Sequence, residues 1–313
     1  VLSKKGKFLL FKTVLIKNFC HGAFFHNLSY LFLNRKNTPL EKLLWRIVSD
    51  GSERFDTHFD LAVSYIEGGS AYYVHDHVSA AKKAAFIHVD YVQAGYTRRL
   101  DKDCYVDFDR IFAVSDETAG VFACVYPECQ QNLSVFHNLI DTEAIRQKAL
   151  SPAEKSMHEG IRLLTVGRLT PQKGFDCAVY ALKLLLEMQY PVYWYIIGDH
   201  FIFLGMQTNP YPYFKMADFY IHATRFEGKS IAIQEAQVLG CAIAASDCSG
   251  NREQIVSGVD GLLCPFSPEG IANAVEYLIE HPQTAESFGR AAAQKACHFE
   301  NDIHMIRDLL YSP

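Results

Sequence analysis

Short apolar runs alternate with helix-like stretches along the whole chain, and this alternation constrains the fold more than any other feature of the sequence. Short runs of this kind are typical of buried strands, and the amphipathic stretches between them are typical of helices. Strands that alternate with helices form a parallel sheet covered on both faces. Because there are two such series, we predict two doubly wound α/β domains. The predicted strands are 61–65, 84–88, 110–114 and 133–136 in the first half, and 162–166, 192–197, 219–223, 241–245 and 261–264 in the second.

The length of 313 residues suits two domains of ordinary size. Apolar residues make up 49% and charged residues 21%, as in packed globular proteins. A polar segment with a proline, 150–155, is predicted to link residues 1–150, the N-terminal domain, to residues 151–313, the C-terminal domain. The clearest helical pattern spans 176–188, and its predicted buried face carries Val179, Leu182, Leu185 and Leu186.

The nine cysteines are scattered through the chain without a Cys-x-x-Cys pair. This spacing argues against a disulfide framework and a zinc knuckle, so we predict buried thiols in a reducing cytoplasm. No apolar run reaches the ~18 residues of a membrane-spanning helix, and no signal peptide is visible. The predicted location is therefore cytoplasmic. Because the first residue is Val rather than Met, we expect the natural protein to begin before Val1.

Charge is distributed unevenly. The net charge of −5 argues against nucleic acid as a partner. Residues 1–50, however, hold nine Lys or Arg and only two acids, interleaved with aromatic residues. Two interpretations stay open: peripheral contact with an anionic membrane, the inner face of the plasma membrane, or the solvated faces of ordinary surface helices.

The first motif that indicates chemistry runs from Gly167 to Gly174, directly after a predicted strand, and reads Gly-Arg-Leu-Thr-Pro-Gln-Lys-Gly. In an open α/β sheet the ligand crevice lies beyond the C-terminal ends of the strands. Arg168 offers a planar fork and Lys173 a compact point charge, a pair that suits a diphosphate. A surface loop with two solvated cations would show the same pattern, so this motif alone does not decide the function.

The second motif runs from Arg225 to Ala236, after the third predicted strand of the second half. Gly228 allows a tight turn, and a helix is predicted to begin near Ser230. Backbone N–H groups of its first turn can hold phosphate. Glu227 precedes the helix and Glu235 lies about one and a half turns inside it, so the two carboxylates can accept hydrogen bonds from two separate sugar rings. The apolar neighbours of Glu235 argue against a merely solvated glutamate.

This second motif resembles the Glu-x7-Glu motif of family 4 glycosyltransferases, which are retaining enzymes with the GT-B fold. Residues 167–175 resemble the family's Gly-Arg-Leu…Lys-Gly-Phe loop, and the order and spacing of further segments is similar over most of the chain. The resemblance is to the bacterial capsular and exopolysaccharide type. It implies two Rossmann-like domains facing a cleft, with the acceptor on the N-terminal domain, the donor on the C-terminal domain, and a last helix that crosses back. The further matching segments are 86–91, 114–115, 137–141, 204–205, 209–212, 217–218 and 249–255, the last followed by Gly258, Gly261 and Leu262.

The resemblance also implies roles for matched positions. Arg168 and Lys173 would neutralise the donor diphosphate, Glu235 would hold the ribose hydroxyls, and Glu227 would contact the transferred sugar. His88 would approach the sugar from the facing domain. The implied catalytic residues are His88, Arg168, Lys173 and Glu227. The implied donor-binding residues are Gly167, Arg168, Lys173, Glu227, Gly228, Lys229, Ser230, Ile231 and Glu235.

The implied reaction breaks the bond between the sugar's anomeric carbon and the diphosphate of a UDP-sugar. Cations and helix N–H groups stabilise the charge on the leaving phosphate, so we expect neither a metal nor a cofactor. The attack is expected on the same face, with the leaving phosphate as base. The short pattern His75-Asp76-His77 is too weak to indicate a metal site.

Two departures from the family pattern stand out. The family's first strand and glycine-rich loop are missing, so we expect an incomplete N-terminal domain. After Asp199 the sequence runs directly into 201–205, where a crossover helix is expected. Both gaps are expected to flank the donor crevice.

The leading hypothesis is an enzyme that adds a hexose to a glycan or lipid-linked acceptor in surface polysaccharide synthesis. The alternative is a catalytically silent GT-B remnant that binds a sugar nucleotide or a partner. The Glu227/Glu235 pair favours the enzyme, and the two gaps favour the remnant. The two motifs disfavour a nucleotide-sugar epimerase of the same fold, and the lack of Gly-x-Gly-x-x-Gly after a strand disfavours a dinucleotide dehydrogenase.

Overall fold

The computed structural model describes residues 40–197, 204, 207–296 and 302–311. They form two compact units. One takes the chain up to His137 together with the segment from Asp302 onward, and the other runs from Asn138 to Asn301. Most of the basic N-terminal segment and the stretch after Asp199 lie outside the described residues.

The first unit contains a four-stranded sheet in which all strands are parallel and neighbours follow the chain order. The predicted strands are confirmed, but β2 begins five residues earlier than expected. Its polar start pairs with β1, as in the register His58↔Ser79. The strands are β1 (His58–Ser64), β2 (Ser79–Ile87), β3 (Arg110–Ala113) and β4 (Leu133–Val135). The helices before and between them are α1 (Leu40–Asp50), α2 (Gly69–His77), α3 (Arg98–Asp101) and α4 (Asp116–Val125).

The main core of the first unit is aromatic, and a carboxyl group lies inside it. Asp101 is fully buried and accepts hydrogen bonds from the hydroxyls of Tyr72 (2.5 Å), Tyr126 (3.2 Å) and Tyr91. Burial raises the pKa of Asp101 to about 7, against the lowering effect of the tyrosine hydrogen bonds. The tyrosines thus satisfy a polar group that would otherwise be costly to bury.

The second unit contains a five-stranded parallel sheet in the order β6-β5-β7-β8-β9. The predicted strands are again confirmed, with ends that differ by one residue at most. The strands are β5 (Ile161–Val166), β6 (Val192–Ile197), β7 (Phe219–His222), β8 (Ala242–Ser246) and β9 (Leu262–Cys264). The helices are α5 (Thr142–Lys148), α6 (Phe175–Glu187), α7 (Tyr211–Met216), α8 (Ile231–Val238), α9 (Ser249–Arg252), α10 (Pro268–Glu280) and α11 (Pro282–Ala296).

The second unit begins earlier than the predicted boundary at residue 150, because α5 packs onto it. Ile145 of α5 is buried against Val238 of α8 and Ala296 of α11. The polar linker predicted at 150–155 therefore lies inside this unit, between α5 and β5.

The predicted buried face of α6 is wrong in part. Val179 is 52% exposed and Leu186 is 53% exposed. The sequence of this helix offers overlapping apolar stripes, and the one that packs is rich in small side chains, which bring the helix close to the sheet. The buried residues are Phe175, Cys177, Ala178, Ala181 and Leu185.

The last described helix, α12 (Ile303–Tyr311), belongs to the first unit. Its Leu309 is buried in one cluster with Phe86, Phe112 and Phe136, which lie on or directly after β2, β3 and β4. The aromatic face of this sheet is thus covered by a helix that comes from the far end of the chain.

The cysteines of the described residues are free, and most are buried as predicted. Cys124 is exposed and Cys248 is half-buried, so the prediction is wrong for these two thiols. Within the described part of the chain, every helix is too short or too polar to span a membrane. One residue of the basic N-terminal segment, Arg46, is buried, where its guanidinium contacts Asp76 (3.0 Å) and lies over the Tyr72 ring. Arg46 therefore fits neither the membrane-contact nor the solvated-face interpretation.

Candidate active site

Two loops of the second unit follow neighbouring strands and lead to helices on opposite faces of the sheet. The β5 loop (167–174) leads to α6, and the β7 loop (223–230) leads to α8. Phe175 of α6 belongs to the cluster on one face, and Ile233 of α8 belongs to the cluster on the other. The crossovers thus diverge between β5 and β7. Ligands of open α/β sheets bind at such a switch point, beyond the C-terminal ends of the strands.

Hydrogen bonds fasten the two loops together. The backbone oxygen of Gln172 accepts from Arg225 N (2.8 Å) and from Thr224 Oγ1 (3.0 Å). The Gln172 side chain in turn donates to Phe226 O at 3.0 Å. The positions of Arg168 and Lys173 on one loop and Glu227 on the other are therefore coupled through the backbone.

Two glycines allow the backbone to approach as closely as the site requires. Gly174 has φ +61, and a Cβ there would lie 2.4 Å from Ala223 O. A Cβ on Gly250, in α9, would lie 2.1 Å from Gly228 O. Gly228 itself does not have a positive φ. The turn we predicted from Gly228 thus depends on the close approach of Gly250 rather than on a left-handed backbone.

Glu227 and Lys173 form the central pair of the site. Their side chains are 11% and 16% exposed, and Lys173 Nζ contacts Glu227 Oε2 directly. Burial alone would raise the pKa of Glu227, but His222 and Lys173 outweigh it and lower the pKa to about 2. Glu227 is therefore ionised at every physiological pH.

His222 contacts the same carboxylate and was not predicted as a site residue. It ends β7, is 2% exposed, and places Nε2 3.5 Å from Glu227 Oε2. Its Nδ1 lies 3.1 Å from the Tyr220 hydroxyl. Burial lowers the pKa of His222, so the imidazole is neutral. A histidine that ends an otherwise apolar and aromatic strand, Phe-Tyr-Ile-His, is the only signal that the sequence carries for it.

Glu235 lies inside α8, half-buried, and the Tyr211 hydroxyl donates to its Oε1 at 2.9 Å. Burial raises the pKa of Glu235, while the hydrogen bond from Tyr211 acts in the other direction. The predicted partner of the second glutamate is thus present. Nothing in the spacing of the motif identified Tyr211 as that partner.

The remaining predicted donor-binding residues lie on the same two loops or on α8. Arg168 is exposed, and none of the ion pairs within the described residues involves it. Ser230 is buried at the N-cap of α8, which begins at Ile231 as predicted. The backbone oxygen of Lys229 accepts from Asn138 Nδ2 at 3.2 Å, so a residue near the start of the unit fixes the β7 loop. The donor-binding residues predicted from the sequence all lie on the two loops or on α8.

His88 lies in the first unit, directly after β2. Its backbone N–H donates to Glu67 Oε2 at 2.9 Å, and its half-buried ring stacks on Phe86 with a centroid separation of 5.9 Å. The position at the C-terminal end of a parallel strand is the one that the sequence predicted.

A group that could hold a cation also lies in the first unit. Ligand atoms of Asp50, Asp76 and His77 lie within 4.8 Å of one another. His75 is not part of this group, because its Nε2 contacts Asp107 at 2.8 Å. One oxygen of Asp76 is already paired with Arg46. The group therefore differs from the sequence pattern His75-Asp76-His77, and a cation there would compete with a guanidinium.

The two parallel sheets with helices on their faces define a two-domain, Rossmann-like α/β protein of the GT-B fold. Residues 146–295 match the family model described as glycosyl transferases group 1. Among solved structures, Alr3699/HepE of Anabaena in complex with UDP-glucose has a TM-score of 0.64 at 16% identity, over 90% of this chain and 87% of that one. This likeness concerns the fold.

Two curated relatives are similar in sequence. One, 27% identical over 193 residues, is the N-acetylgalactosamine-N,N'-diacetylbacillosaminyl-diphospho-undecaprenol 4-alpha-N-acetylgalactosaminyltransferase of Campylobacter jejuni, matched over 56% of this chain and 52% of the relative. The other, an uncharacterized 41.2 kDa protein in the cps region of Klebsiella pneumoniae, is 25% identical over 59% of this chain and 57% of the relative. The chain thus spans about half the length of the curated relatives it matches.

Proposed function

We propose that this protein is a retaining glycosyltransferase of the family 4 type, which transfers a hexose from a UDP-sugar to a glycan or lipid-linked acceptor in surface polysaccharide synthesis. The observation that carries the proposal is the arrangement at the switch point of the second unit. Two partnered carboxylates, Glu227 and Glu235, and the cations Arg168 and Lys173 lie on the loops that follow β5 and β7 or on α8, and Lys173 contacts Glu227 directly.

The cations and the helix start suit a diphosphate. Arg168 is exposed and Lys173 is nearly buried beside it on the same loop. The first N–H groups of α8 have no intrahelical acceptors and carry the positive end of the helix dipole. A diphosphate bound there would take Lys173 as a counterion, with Arg168 closing from the solvent side.

The two carboxylates suit the two sugar rings of a nucleotide sugar. Glu235, one and a half turns into α8, is assigned to the ribose hydroxyls, with Tyr211 holding its other side. Glu227, at the loop, is assigned to hydroxyls of the transferred sugar. That the Anabaena structure holds UDP-glucose supports a uracil nucleotide as the donor.

Catalysis follows from the charges. As the bond from the anomeric carbon to the diphosphate breaks, negative charge grows on the leaving phosphate, and preorganised cations and N–H groups stabilise it. The acceptor oxygen then bonds to the anomeric carbon on the face that the phosphate leaves, and the leaving phosphate takes the acceptor's proton, which gives retention. These groups can act without a cofactor or metal.

The acceptor and the location are part of the same proposal. The name of the Campylobacter relative specifies an undecaprenol-diphosphate acceptor, and the Klebsiella relative lies in a cps region. Both favour a lipid-linked or polymeric glycan as the acceptor, and the location that we assign to the reaction is the cytoplasmic side of a membrane. His88 is assigned to the transferred sugar, and peripheral contact with anionic lipid is assigned to the basic segment before residue 40.

The test is a thermal-shift and calorimetric screen of the protein against UDP, GDP, ADP and a panel of UDP-hexoses. We expect UDP and at least one UDP-hexose to raise Tm, and Glu235→Ala to remove that rise. Glu286→Ala is the matched control, because Glu286 is an exposed glutamate of the same unit whose surface pair with Arg290 contributes little. Stabilisation by none of the uracil nucleotides would contradict the proposal.

A further inference from the structure

His222 is a buried histidine with one ring nitrogen left without a hydrogen bond. Nε2 has no hydrogen-bond partner among the described residues. It lies 3.5 Å from Glu227 Oε2, which is too long for a good hydrogen bond but close enough to become one after a small shift. A buried polar atom without a hydrogen bond destabilises the folded state. One that is retained at a candidate site therefore indicates a functional role.

The neighbour on the other side of the ring favours one tautomer of His222. Tyr220 is fully buried, and burial raises the pKa of its hydroxyl well above the usual value, so the hydroxyl keeps its proton. It can therefore donate to Nδ1 at 3.1 Å. A neutral imidazole that accepts at Nδ1 carries its proton on Nε2. That N–H faces Glu227.

In the structure Lys173 contacts Glu227 Oε2, the same oxygen that the His222 N–H faces. Lys173 Nζ and His222 Nε2 both approach Glu227 Oε2. In the proposed function Lys173 is also a counterion of the donor diphosphate. The Glu227 side chain is only 11% exposed. If Lys173 moves toward the diphosphate, Glu227 loses its cation. A buried carboxylate that loses its partner is strongly destabilised.

Resting on the proposed function, we propose that His222 is a positioning residue for the donor sugar. When Lys173 moves to the diphosphate, His222 Nε2–H closes on Glu227 Oε2. This hydrogen bond holds the carboxylate ionised and oriented toward a sugar hydroxyl. The charged and titratable groups that face His222 are Lys173 of the β5 loop, Glu227 of the β7 loop and Tyr220 of its own strand. Lys173 thereby pairs first with the Glu227 carboxylate and then with the diphosphate, and His222 replaces it at the carboxylate.

Three variants separate positioning from packing. His222→Phe keeps the bulk and removes the donor. His222→Gln keeps an N–H near the position of Nε2. Tyr220→Phe removes the hydroxyl that sets the tautomer and leaves the histidine in place. A residue that only fills the core would be replaced better by Phe than by Gln, whereas a positioning donor requires the opposite order.

The experiment compares the affinities of UDP and of the UDP-hexose that binds most tightly, measured by calorimetry. UDP lacks the sugar, so the ratio of the two affinities reports the sugar contact. We expect His222→Phe to leave UDP affinity within about twofold and to lower the ratio at least about tenfold, the scale of one hydrogen bond to a charged group. His222→Gln should keep most of the ratio, and Tyr220→Phe should lie between them.

The outcomes that count against the proposal differ from those that count against the proposed function. Equal loss for UDP and UDP-hexose in His222→Phe, an unchanged ratio, or a ratio near one in the natural protein would overturn the positioning role while nucleotide binding stands. A natural protein that binds no uracil nucleotide would remove the proposed function itself, and the positioning role with it.

A second measurement needs no substitution and guards against a variant that does not fold. Nitrogen-15 NMR of the natural protein should show the Nε2–H tautomer for His222, and its Nε2–H proton should move downfield when UDP binds and Lys173 leaves Glu227. A proton on Nδ1, or an Nε2–H signal that UDP leaves unmoved, would contradict the proposal.

Discussion

The Tyr211 hydroxyl donates a 2.9 Å hydrogen bond to Glu235 Oε1, which ties the start of α7 to the second glutamate of the site. A tyrosine, unlike a lysine or arginine, supplies a hydrogen bond without a full positive charge. The carboxylate is thereby held in place while it keeps its capacity to accept further hydrogen bonds. This is the environment that a diol such as ribose requires, since its two hydroxyls are neutral donors.

Replacement of Glu235 tests the ribose assignment. We expect Glu235→Ala to weaken UDP binding by about 1.5–3 kcal/mol, the range for hydrogen bonds to a charged group, with little change in the Tm of the free protein. Tyr211→Phe should have a smaller effect, because it leaves the carboxylate in place. The measurement is calorimetry with UDP, with Glu286→Ala as control. An unchanged UDP affinity in Glu235→Ala would remove this residue from the site.

The pair of Lys173 and Glu227 predicts a non-additive effect on stability. Lys173→Met leaves Glu227 buried and charged with only a neutral histidine beside it, so we expect destabilisation of about 3 kcal/mol, the lower end of the range for a broken buried pair. Adding Glu227→Gln should restore much of that stability, because the amide is neutral, while UDP-hexose binding stays lost. Urea unfolding of the two single variants and the double variant measures the coupling. Additive losses would show that the pair does not interact in solution.

Asp101 predicts that the first unit is less stable at higher pH. Its folded-state pKa, about 7, lies above the ordinary value of 3.8, so the folded state binds the proton more tightly than the unfolded state. Stability from this group is complete below the ordinary value and is lost as pH rises toward 7, by at most about 1.4 kcal/mol per pH unit. Urea unfolding at pH 5 and pH 7.5 measures the slope, which should be shallower in Asp101→Asn. Equal slopes would assign the pH dependence to other groups.

Turnover is expected to persist without divalent metal, because in the proposed function Arg168, Lys173 and the start of α8 stabilise the leaving group. Release of UDP from the best-binding UDP-hexose should continue in EDTA. Arg168→Ala should lower kcat by about 10²–10³-fold, by analogy with the loss of one oxyanion-stabilising donor, and metal should not restore it. Activity that EDTA abolishes and Mn²⁺ or Mg²⁺ restores would contradict this prediction.

The basic segment before residue 40 is predicted to bind anionic vesicles weakly and reversibly. Each Lys or Arg near such a surface contributes about 1 kcal/mol, and salt screens the attraction. Sedimentation with phosphatidylglycerol vesicles should carry down more protein than sedimentation with phosphatidylcholine vesicles, and added salt should reduce the difference. Equal partitioning would favour the solvated-face interpretation.

The strand and loop pattern was predictable because it depends on local sequence. β5 and β7 are apolar runs, each followed by a loop that carries Gly, charge and a helix start, so the loops with Arg168, Lys173 and Glu227 could be placed at one sheet edge in advance. The hydrogen-bond and ion-pair partners of these residues could not be predicted in this way. Lys173 and Glu227 are 54 positions apart, and Asn138 lies 91 positions from Lys229. Such pairs depend on how strands order themselves, which spacing along the chain does not encode.

Orientation within an element was also harder to predict than its existence. The apolar residues of α6 fit more than one stripe, and packing against the sheet selected Cys177, Ala178 and Ala181 over Val179 and Leu186. Likewise α5 carries polar residues around Ile145, and only contact with Val238 and Ala296 reveals which unit it joins. These choices are made by tertiary contacts rather than by local periodicity.

The dependence of the first unit on α12 has a consequence for how the protein is made. The ribosome adds residues from the N-terminus to the C-terminus, and domains fold as their chain emerges. The second unit is one continuous stretch, and every residue of it is added to the chain before Leu309 is. Until then Phe86, Phe112 and Phe136 present an aromatic sheet face without its helix. While the second unit is being synthesised, the nascent chain therefore carries an aromatic sheet face without its helix, and chaperone binding should concentrate on that face.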